Sequence, residues 1–119
     1  MLIRTVAVML PAVAAVAVLA ASGCRTLPPS KPESEFTPQE ARGQVVYRQN
    51  CERCHYPTST RGGKGPGLQA ITKVKAMPSG APPTDERLTD EIIHGRGMMP
   101  ATPLDNQQLQ DLLAYLHTL

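Results

Sequence analysis

The fold class expected for this chain is all-α, and two observations favour it. Three segments, at residues 37–50, 84–94 and 105–119, each begin with Thr or Asp, which cap helix N-termini, and each carries apolar residues at helical spacing. No convincing strand run lies near the central pair of cysteines. The chain has 119 residues, enough for one domain. A domain of this size is marginally stable unless a bound group or a covalent cross-link adds to the stability of its core.

The first helix is predicted from Thr37 to about Asn50. Thr37 occupies the N-cap position, Pro38 the first helical position, and Glu40 completes a capping box with Thr37. Gly43 lies inside this helix, where glycine costs about 1 kcal/mol relative to alanine. Close packing of another backbone explains such a glycine, although it could also be an ordinary helix position. The apolar stripe consists of Ala41, Val45 and Val46.

The second helix is predicted from Thr84 to His94, with Gly95 ending it. Thr84 is the N-cap residue, and the acidic Asp85 and Glu86 suit the positive end of the helix dipole. The face expected to be buried consists of Leu88, Ile92 and Ile93.

The last helix is predicted from Asp105 to Leu119, with Asp105 and Gln108 forming a box-like capping pair. Tyr115 is expected to meet the Gly43–Tyr47 region where the terminal helices cross, or else to be a partly exposed tyrosine. The core face of this helix consists of Leu109, Leu112, Leu113 and Leu116. Between the first and second helices the sequence predicts a loop at 57–68, a short helix at 68–74 and a second loop at 77–83.

The central stretch Cys51-Glu52-Arg53-Cys54-His55 has the clearest chemical meaning. Two thiols three positions apart, with an imidazole directly after them, is the spacing of a c-type haem attachment site. On a short helical turn, residues i and i+3 point to about the same side, so both sulfurs could bind one porphyrin. The next residue then offers a ring nitrogen to the iron. By composition, this pattern should arise by chance in roughly one chain of this length per thousand.

Two other chemistries could use the same cysteine pair. A thioredoxin-like redox pair would need a βαβ context, and no convincing strand run is present nearby. A structural zinc site would need four ligands, and the candidates His94 and His117 lie far outside zinc-finger spacing.

From this motif onward the chain resembles a class I c-type cytochrome, and the likeness extends from about residue 37 to residue 119. The residues that carry it, besides the motif, are Gly43, Tyr47, Gly65-Pro66-Gly67-Leu68, Gly97-Met98-Met99-Pro100 and a leucine-rich last helix with Tyr115. The resemblance implies a small cytochrome c fold. This fold has about four helices around one covalently bound haem c, and its first and last helices cross.

The resemblance also implies which residues hold the haem. Cys51 and Cys54 would bind it covalently, and His55 would be the first axial ligand of the iron. The carbonyl of Pro66, or the preceding one, would accept the imidazole N–H, which fixes ring orientation and raises ligand basicity. Met99 would be the second axial ligand, because the family places this ligand just before a proline, where the backbone is held extended. His/Met ligation is typical of electron-transfer cytochromes.

Other residues could take the second axial position. Met98 is the main alternative to Met99. His94 and His117 could give bis-histidine ligation, although a histidine at a helix end more often interacts with the helix dipole at the surface. Met77 is more typical of a loop or gap-filling residue.

Residues 1–23 are predicted to be a signal peptide of the lipoprotein type. Arg4 supplies a positive charge, and an uncharged run rich in Ala, Val and Leu follows to Ser22. Ala21-Ser22-Gly23-Cys24 resembles the lipobox of bacterial lipoproteins, although Ala21 stands where Leu is usual. The resemblance implies that Cys24 is lipidated and that the chain is cut just before it. An uncleaved transmembrane helix, or ordinary cleavage beside an incidental Cys24, are the alternatives.

Residues 24–36 are predicted to combine the lipidated cysteine with a Pro-rich linker, followed by the haem domain at 37–119. An extended linker of residues 25–36 would span at most roughly 35–40 Å. The net charge of +2 gives no argument for a nucleic-acid partner, for which a clustered basic face is expected.

Together these features predict a membrane-tethered monohaem electron carrier that is not itself an enzyme. It would be lipid-anchored to the cell membrane on the periplasmic, extracytoplasmic side, with a redox donor and acceptor that dock transiently. Occupied axial positions would leave the iron no site for a substrate. The docking surface could include Arg42, Arg48, Arg53, Arg61 and Lys64.

Two alternative functions share this haem chemistry. The first is a haem c subunit of a membrane-bound oxidoreductase complex, either quinol-oxidising or a terminal oxidase. The second is a ligand-binding sensor or peroxidase-like enzyme, which would need an open axial position.

Overall fold

Three α-helices form the domain in the computed structural model, which describes residues 26–119. They are α1 (Pro38–Asn50), α2 (Asp85–His94) and α3 (Asn106–Leu116), and a short 3-10 helix at Glu33–Glu35 precedes them. The described part contains no β-strand, only an isolated bridge between Arg96 and Met99. The all-α prediction is therefore confirmed. The predicted signal peptide and Cys24 lie outside the described residues.

Each helix begins at the predicted cap. The hydroxyl of Thr37 accepts from the Glu40 N–H, and the Glu40 carboxylate accepts from the Thr37 N–H in return, which is the reciprocal capping box. Asp105 and Gln108 form the same pair at the start of α3. Thr84 caps α2 through its hydroxyl. Because each cap satisfies N–H groups that the helix leaves free, the starting points were readable from local sequence.

Helices α1 and α3 cross at Gly43. A Cβ atom built on Gly43 would overlap the backbone carbonyl of Asp111 and lie 2.7 Å from Cβ of Tyr115. Only a residue without a side chain allows the two backbones to approach this closely. The aromatic rings of Tyr47 and Tyr115 pack beside the crossing, with 5.2 Å between their centroids. The predicted crossing and the predicted position of Tyr115 are both confirmed.

The core lies between the terminal helices and α2. Its buried residues include Val46, Tyr47, Leu88, Ile92, Leu112, Tyr115 and Leu116. The apolar stripe predicted for α1 is confirmed at Val46, which is buried, and wrong at Ala41 and Val45, which are exposed, Val45 by 51%. Tyr47 is buried in their place. The close approach at Gly43 decides which side of α1 faces α3, and it turns Val45 towards solvent.

Residues 68–74 were expected to form a short helix but form a series of turns. Ala70 has φ 55, in the left-handed region that non-glycine residues seldom adopt, and this interrupts any regular helix. Its carbonyl accepts from the N–H groups of Lys73 and Val74. The side chains of Ala70 and Ile71 are nevertheless buried, so the segment closes one side of the core.

Residues 31–36, which we name the docked segment, were expected to belong to an extended linker but pack on the terminal helices. The Lys31 N–H donates to the Thr118 carbonyl at 2.7 Å, and the Lys31 ammonium group contacts both carboxylate oxygens of Glu40. The Phe36 ring meets the Tyr115 ring edge-on, with centroids 5.9 Å apart. These contacts attach the docked segment to the domain.

No helix within residues 26–119 is long and apolar enough to cross a membrane.

Candidate functional site

A large apolar crevice lies between the end of α1, helices α2 and α3, and the loops that connect them. Its volume is about 620 Å³, within the range of roughly 300–1,000 Å³ that is typical of small-molecule sites. The crevice brings together every residue predicted to hold haem, namely Cys51, Cys54, His55, Pro66 and Met99. Its apolar walls include Leu68, Ile71, Met77, Leu88, Ile92, Leu112 and Leu116.

The cysteine motif forms one tight turn directly after α1. Cys51 is the C-cap residue of this helix, and its carbonyl accepts from the N–H groups of both Cys54 and His55, each at 3.0 Å. A turn of this kind brings residues three apart to the same side, as the spacing predicted. Cys51 and Cys54 are free thiols, and both are half-buried at the crevice.

The thiol of Cys51 lacks the character of a redox-active cysteine. Burial, together with the neighbouring Cys54, raises the pKa of Cys51 to about 11. Reactive thiols of thioredoxin-like pairs have a lowered pKa, because the thiolate is the nucleophile. The described residues also contain no β-strand, so the βαβ context that a thioredoxin-like pair needs is missing there.

The imidazole of His55 is held from two directions. Its Nδ1 lies 2.8 Å from the carbonyl oxygen of Pro66, so Nδ1–H is the donor and Nε2 is the nitrogen available to a metal. Gly65 lies against the ring, because a Cβ atom there would be 2.5 Å from Cε1 of His55. The loop that carries Gly65 and Pro66 is tied back by the Gly65 N–H, which donates to the Cys54 carbonyl at 2.9 Å.

Met99 ends a tight turn that follows α2. The N–H and carbonyl of Arg96 exchange hydrogen bonds with those of Met99, at 3.0 and 2.9 Å. Gly97 has φ 57, which the first central position of a type II′ turn requires. Gly95 has φ 74 and lies so close to Met99 that a Cβ atom would be 2.5 Å from its carbonyl oxygen. The turn leaves Met99 half-buried against the core.

The competing methionines and histidines occupy different environments. Met98 borders the crevice but is 97% exposed. Met77 is buried, lines the crevice and packs in the core as a gap-filling residue. His94 pairs with Asp90 on the surface of α2, and His117 bonds to Asp85 at 2.8 Å. Neither of these histidines lines the crevice.

Charged residues at the crevice differ in part from those predicted. Lys64 lines it as expected, and it is joined by Arg96 and Glu91, which sequence reasoning did not single out. Arg42 and Arg48 are turned to other partners, Asp111 and Glu33 respectively. Arg96 and Glu91 form an ion pair of 3.6 Å, which links the first residue of the Met99 turn to helix α2.

The residues present fit haem. Two thiols for covalent attachment, one imidazole with a defined tautomer, the half-buried thioether of Met99 and a large apolar wall meet in the same crevice. For zinc the donor set is insufficient, because no group of three or more His, Cys, Asp or Glu side chains among residues 26–119 is arranged so that it could hold a metal ion.

Comparison with known protein families agrees with this site. The model of the family described as cytochrome c oxidase, cbb3-type, subunit III matches residues 38–116, from the first residue of α1 to the last of α3. No curated protein matches the chain significantly.

Proposed function

The chain belongs to this cytochrome c family and is a class I monohaem c-type cytochrome with a role in haem-based electron transfer; we propose that it is a membrane-tethered carrier of single electrons. It passes them between redox partners outside the cytoplasmic membrane. The observation that carries the proposal is the meeting of His55 and Met99 with both thiols in one apolar crevice.

Each crevice residue has a separate role in this proposal. Cys51 and Cys54 attach the haem c covalently, and His55 offers Nε2 to the iron while Pro66 holds Nδ1. Met99 would supply the second ligand of the iron, a thioether, which would raise the reduction potential. The haem would supply the one-electron iron couple. With both ligands coming from side chains, the protein would tune the potential and exclude water.

Met99 is preferred to Met98 on geometry. The turn closed by Arg96 half-buries Met99 against the core and leaves Met98 97% exposed to solvent. A ligand thioether must lie inside a water-excluding crevice, since the apolar surroundings contribute to the potential.

Absorbance spectra of the oxidised protein test this assignment. The near-infrared band of a methionine–iron bond is expected in wild type, to be lost in Met99→Ala and to survive in Met98→Ala. Loss in Met98→Ala alone would reverse the assignment. Carbon monoxide binding by the wild type at neutral pH would instead support the sensor or peroxidase-like alternative, which needs an open axial position.

The tether in this proposal is the lipidated Cys24. The docked segment begins at Lys31, so the free spacer is reduced to residues 24–30 and spans at most roughly 22 Å if extended. This spacer is shorter than the linker expected from composition, and it holds the domain close to the membrane surface. Mass measurement of the mature protein tests the anchor. A first residue other than an acylated Cys24 would exclude it.

Redox partners reach the haem at the mouth of the crevice. Electron-transfer encounters use small and weak interfaces, so the local charges matter more than the net charge. Lys64, Arg96 and Glu91 line this mouth. Substituting these residues by residues of opposite charge is expected to alter the salt dependence of the electron-transfer rate but not the absorbance spectrum of the haem.

The family match favours a second candidate function. The matching model is that of an oxidase subunit, so the chain could be the haem c subunit of a membrane-bound oxidoreductase complex. Mild detergent extraction at native expression levels separates the two candidates. A monomer supports the independent carrier, whereas a stable complex of fixed stoichiometry supports the subunit.

A further inference from the structure

Tyr47 of α1 contacts the haem attachment motif at both of its ends. The backbone carbonyl of Tyr47 accepts from the N–H groups of Cys51 and Glu52, at 2.7 and 3.2 Å. Its phenol O–H donates to the backbone carbonyl of His55 at 2.5 Å. One residue of the helix therefore holds the start of the motif with its main chain and the end with its side chain.

The bond to His55 completes a series of three consecutive carbonyls. The Cys54 carbonyl accepts from the Gly65 N–H at 2.9 Å, and the Tyr56 carbonyl accepts from the Leu68 N–H at 2.8 Å. Both of these donors are backbone groups of the following loop. The carbonyl between them, that of His55, is instead bound by a side chain of α1. The histidine backbone is thus fixed between the loop and the helix.

The phenol of Tyr47 is well placed to act as a permanent donor. Its side chain is buried, and its ring packs against that of Tyr115 at a tilt of 41°. Because the packed ring cannot move, the hydroxyl meets the His55 carbonyl at a fixed position.

We propose that Tyr47 is a positioning residue for the proximal histidine. Its hydroxyl fixes the backbone from which the His55 imidazole projects, and this keeps Nδ1–H aligned on the Pro66 carbonyl and Nε2 available to the iron. The inference rests on the proposed role of His55 as axial ligand. It adds that the ring is oriented by α1 through Tyr47 as well as by the loop through Pro66.

The test compares Tyr47→Phe with Tyr115→Phe in the haem-loaded protein. Each variant removes one buried phenol oxygen and keeps the ring, and the described residues show no hydrogen bond from the Tyr115 hydroxyl to the motif. The exchange rate of the His55 Nδ1 proton is measured by NMR in the reduced state, together with the reduction potential. Tyr47→Phe is expected to accelerate this exchange about tenfold, because one buried hydrogen bond is lost. It should also shift the potential. Tyr115→Phe should change the exchange rate by less than about twofold.

A purely stabilising role predicts another result. In that case Tyr47→Phe lowers the melting temperature but leaves the Nδ1 exchange rate and the potential at their wild-type values, which overturns the inference. Failure of the proposed function is visible in the wild type itself. If His55 is not an axial ligand, its ring protons lack the large ring-current shift of a haem ligand before any substitution is made, and this outcome overturns both proposals.

Discussion

Arg42 of α1 and Asp111 of α3 form a two-pronged ion pair beside the helix crossing. Nε and one terminal nitrogen of Arg42 donate to the two carboxylate oxygens of Asp111, at 2.9 and 3.1 Å. Gln107 donates to one of the same oxygens at 2.9 Å. Asp111 is buried at the point where Gly43 brings the two backbones together, so the carboxylate is fully hydrogen-bonded in a site where a bare charge would be costly.

Asp111→Asn should lower stability in a pH-dependent manner. The Arg42 guanidinium holds the pKa of Asp111 below its ordinary value of 3.8. A carboxyl with a lowered pKa contributes stability that is fully present above 3.8 and is lost as the pH falls through the lower folded-state value. Thermal unfolding should therefore show a clear deficit for Asp111→Asn at pH 7. This deficit should persist at pH 4 and shrink only in stronger acid.

Asp90→Asn is the matched control, because the Asp90 side chain is 75% exposed on α2. Its melting temperature should follow that of wild type across the same pH range. Equal deficits for the two variants at pH 7, or a deficit for Asp111→Asn that does not change with pH, would contradict the role assigned to the ion pair.

Gly43→Ala should destabilise the domain severely. The added methyl group would overlap the Asp111 backbone carbonyl, which cannot move aside as a flexible side chain could, so the helices must separate. A loss of about 3 kcal/mol or more in the free energy of unfolding is expected. Chemical denaturation measures it, with Val45→Ala as the control on the exposed face of the same helix. A stability close to wild type would show that the crossing is more plastic than the structure indicates.

The helix starts were predictable from sequence because each cap is a local device. Thr37 with Glu40, and Asp105 with Gln108, satisfy N–H groups within one turn, so four residues are enough to recognise them. The buried face of α1 was less predictable. Its orientation depends on contact with α3, more than sixty residues further along the chain, and Val45 was assigned to the wrong side for this reason.

The candidate site, too, was predictable from sequence only where the structure is local. The cysteine spacing predicted a single turn from local geometry, and the resemblance supplied Pro66 without deciding which carbonyl bonds to His55. The structure shows that it is the carbonyl of Pro66 itself. The docked segment could not be foreseen, because it belongs to a proline-rich stretch typical of linkers and its backbone partner, Thr118, is distant in sequence.

Gly65→Ala should disturb the His55 ring. The new Cβ atom would lie 2.5 Å from Cε1 and 2.9 Å from Nδ1, closer than real side-chain contacts allow, so the imidazole must shift away from the Pro66 carbonyl. The expected result is a loss of about 1–3 kcal/mol in stability and a changed reduction potential. Lys64→Arg is the control, since it alters the neighbouring residue, keeps its charge at the crevice and adds no atom near the ring. An unchanged potential in Gly65→Ala would show that the ring tolerates the displacement.

Phe36→Ala should release the docked segment. The Phe36 ring packs edge-on against Tyr115 and is half-buried against the core, so its removal is expected to cost about 2 kcal/mol. Only the polar contacts of Lys31 and Glu33 then attach the segment. Limited proteolysis should then cut within residues 31–36 much faster than in wild type, because a protease cleaves a segment only when it is released from the domain.

Leu27→Ala provides the comparison, because Leu27 precedes the docked segment in a stretch of exposed residues. It should leave the proteolysis rate at 31–36 unchanged. If Phe36→Ala is cut no faster than Leu27→Ala, the polar contacts of Lys31 and Glu33 hold the segment without the Phe36 ring. The double variant Lys31→Met/Phe36→Ala then decides whether any docked state remains. Resistance of this variant as well would show that the remaining contacts, the Lys31 N–H with Thr118 and Glu33 with Gln44 and Arg48, hold the segment. Cleavage of the wild type at 31–36 as fast as that of the double variant would instead contradict the docked state and restore the longer spacer of residues 24–36.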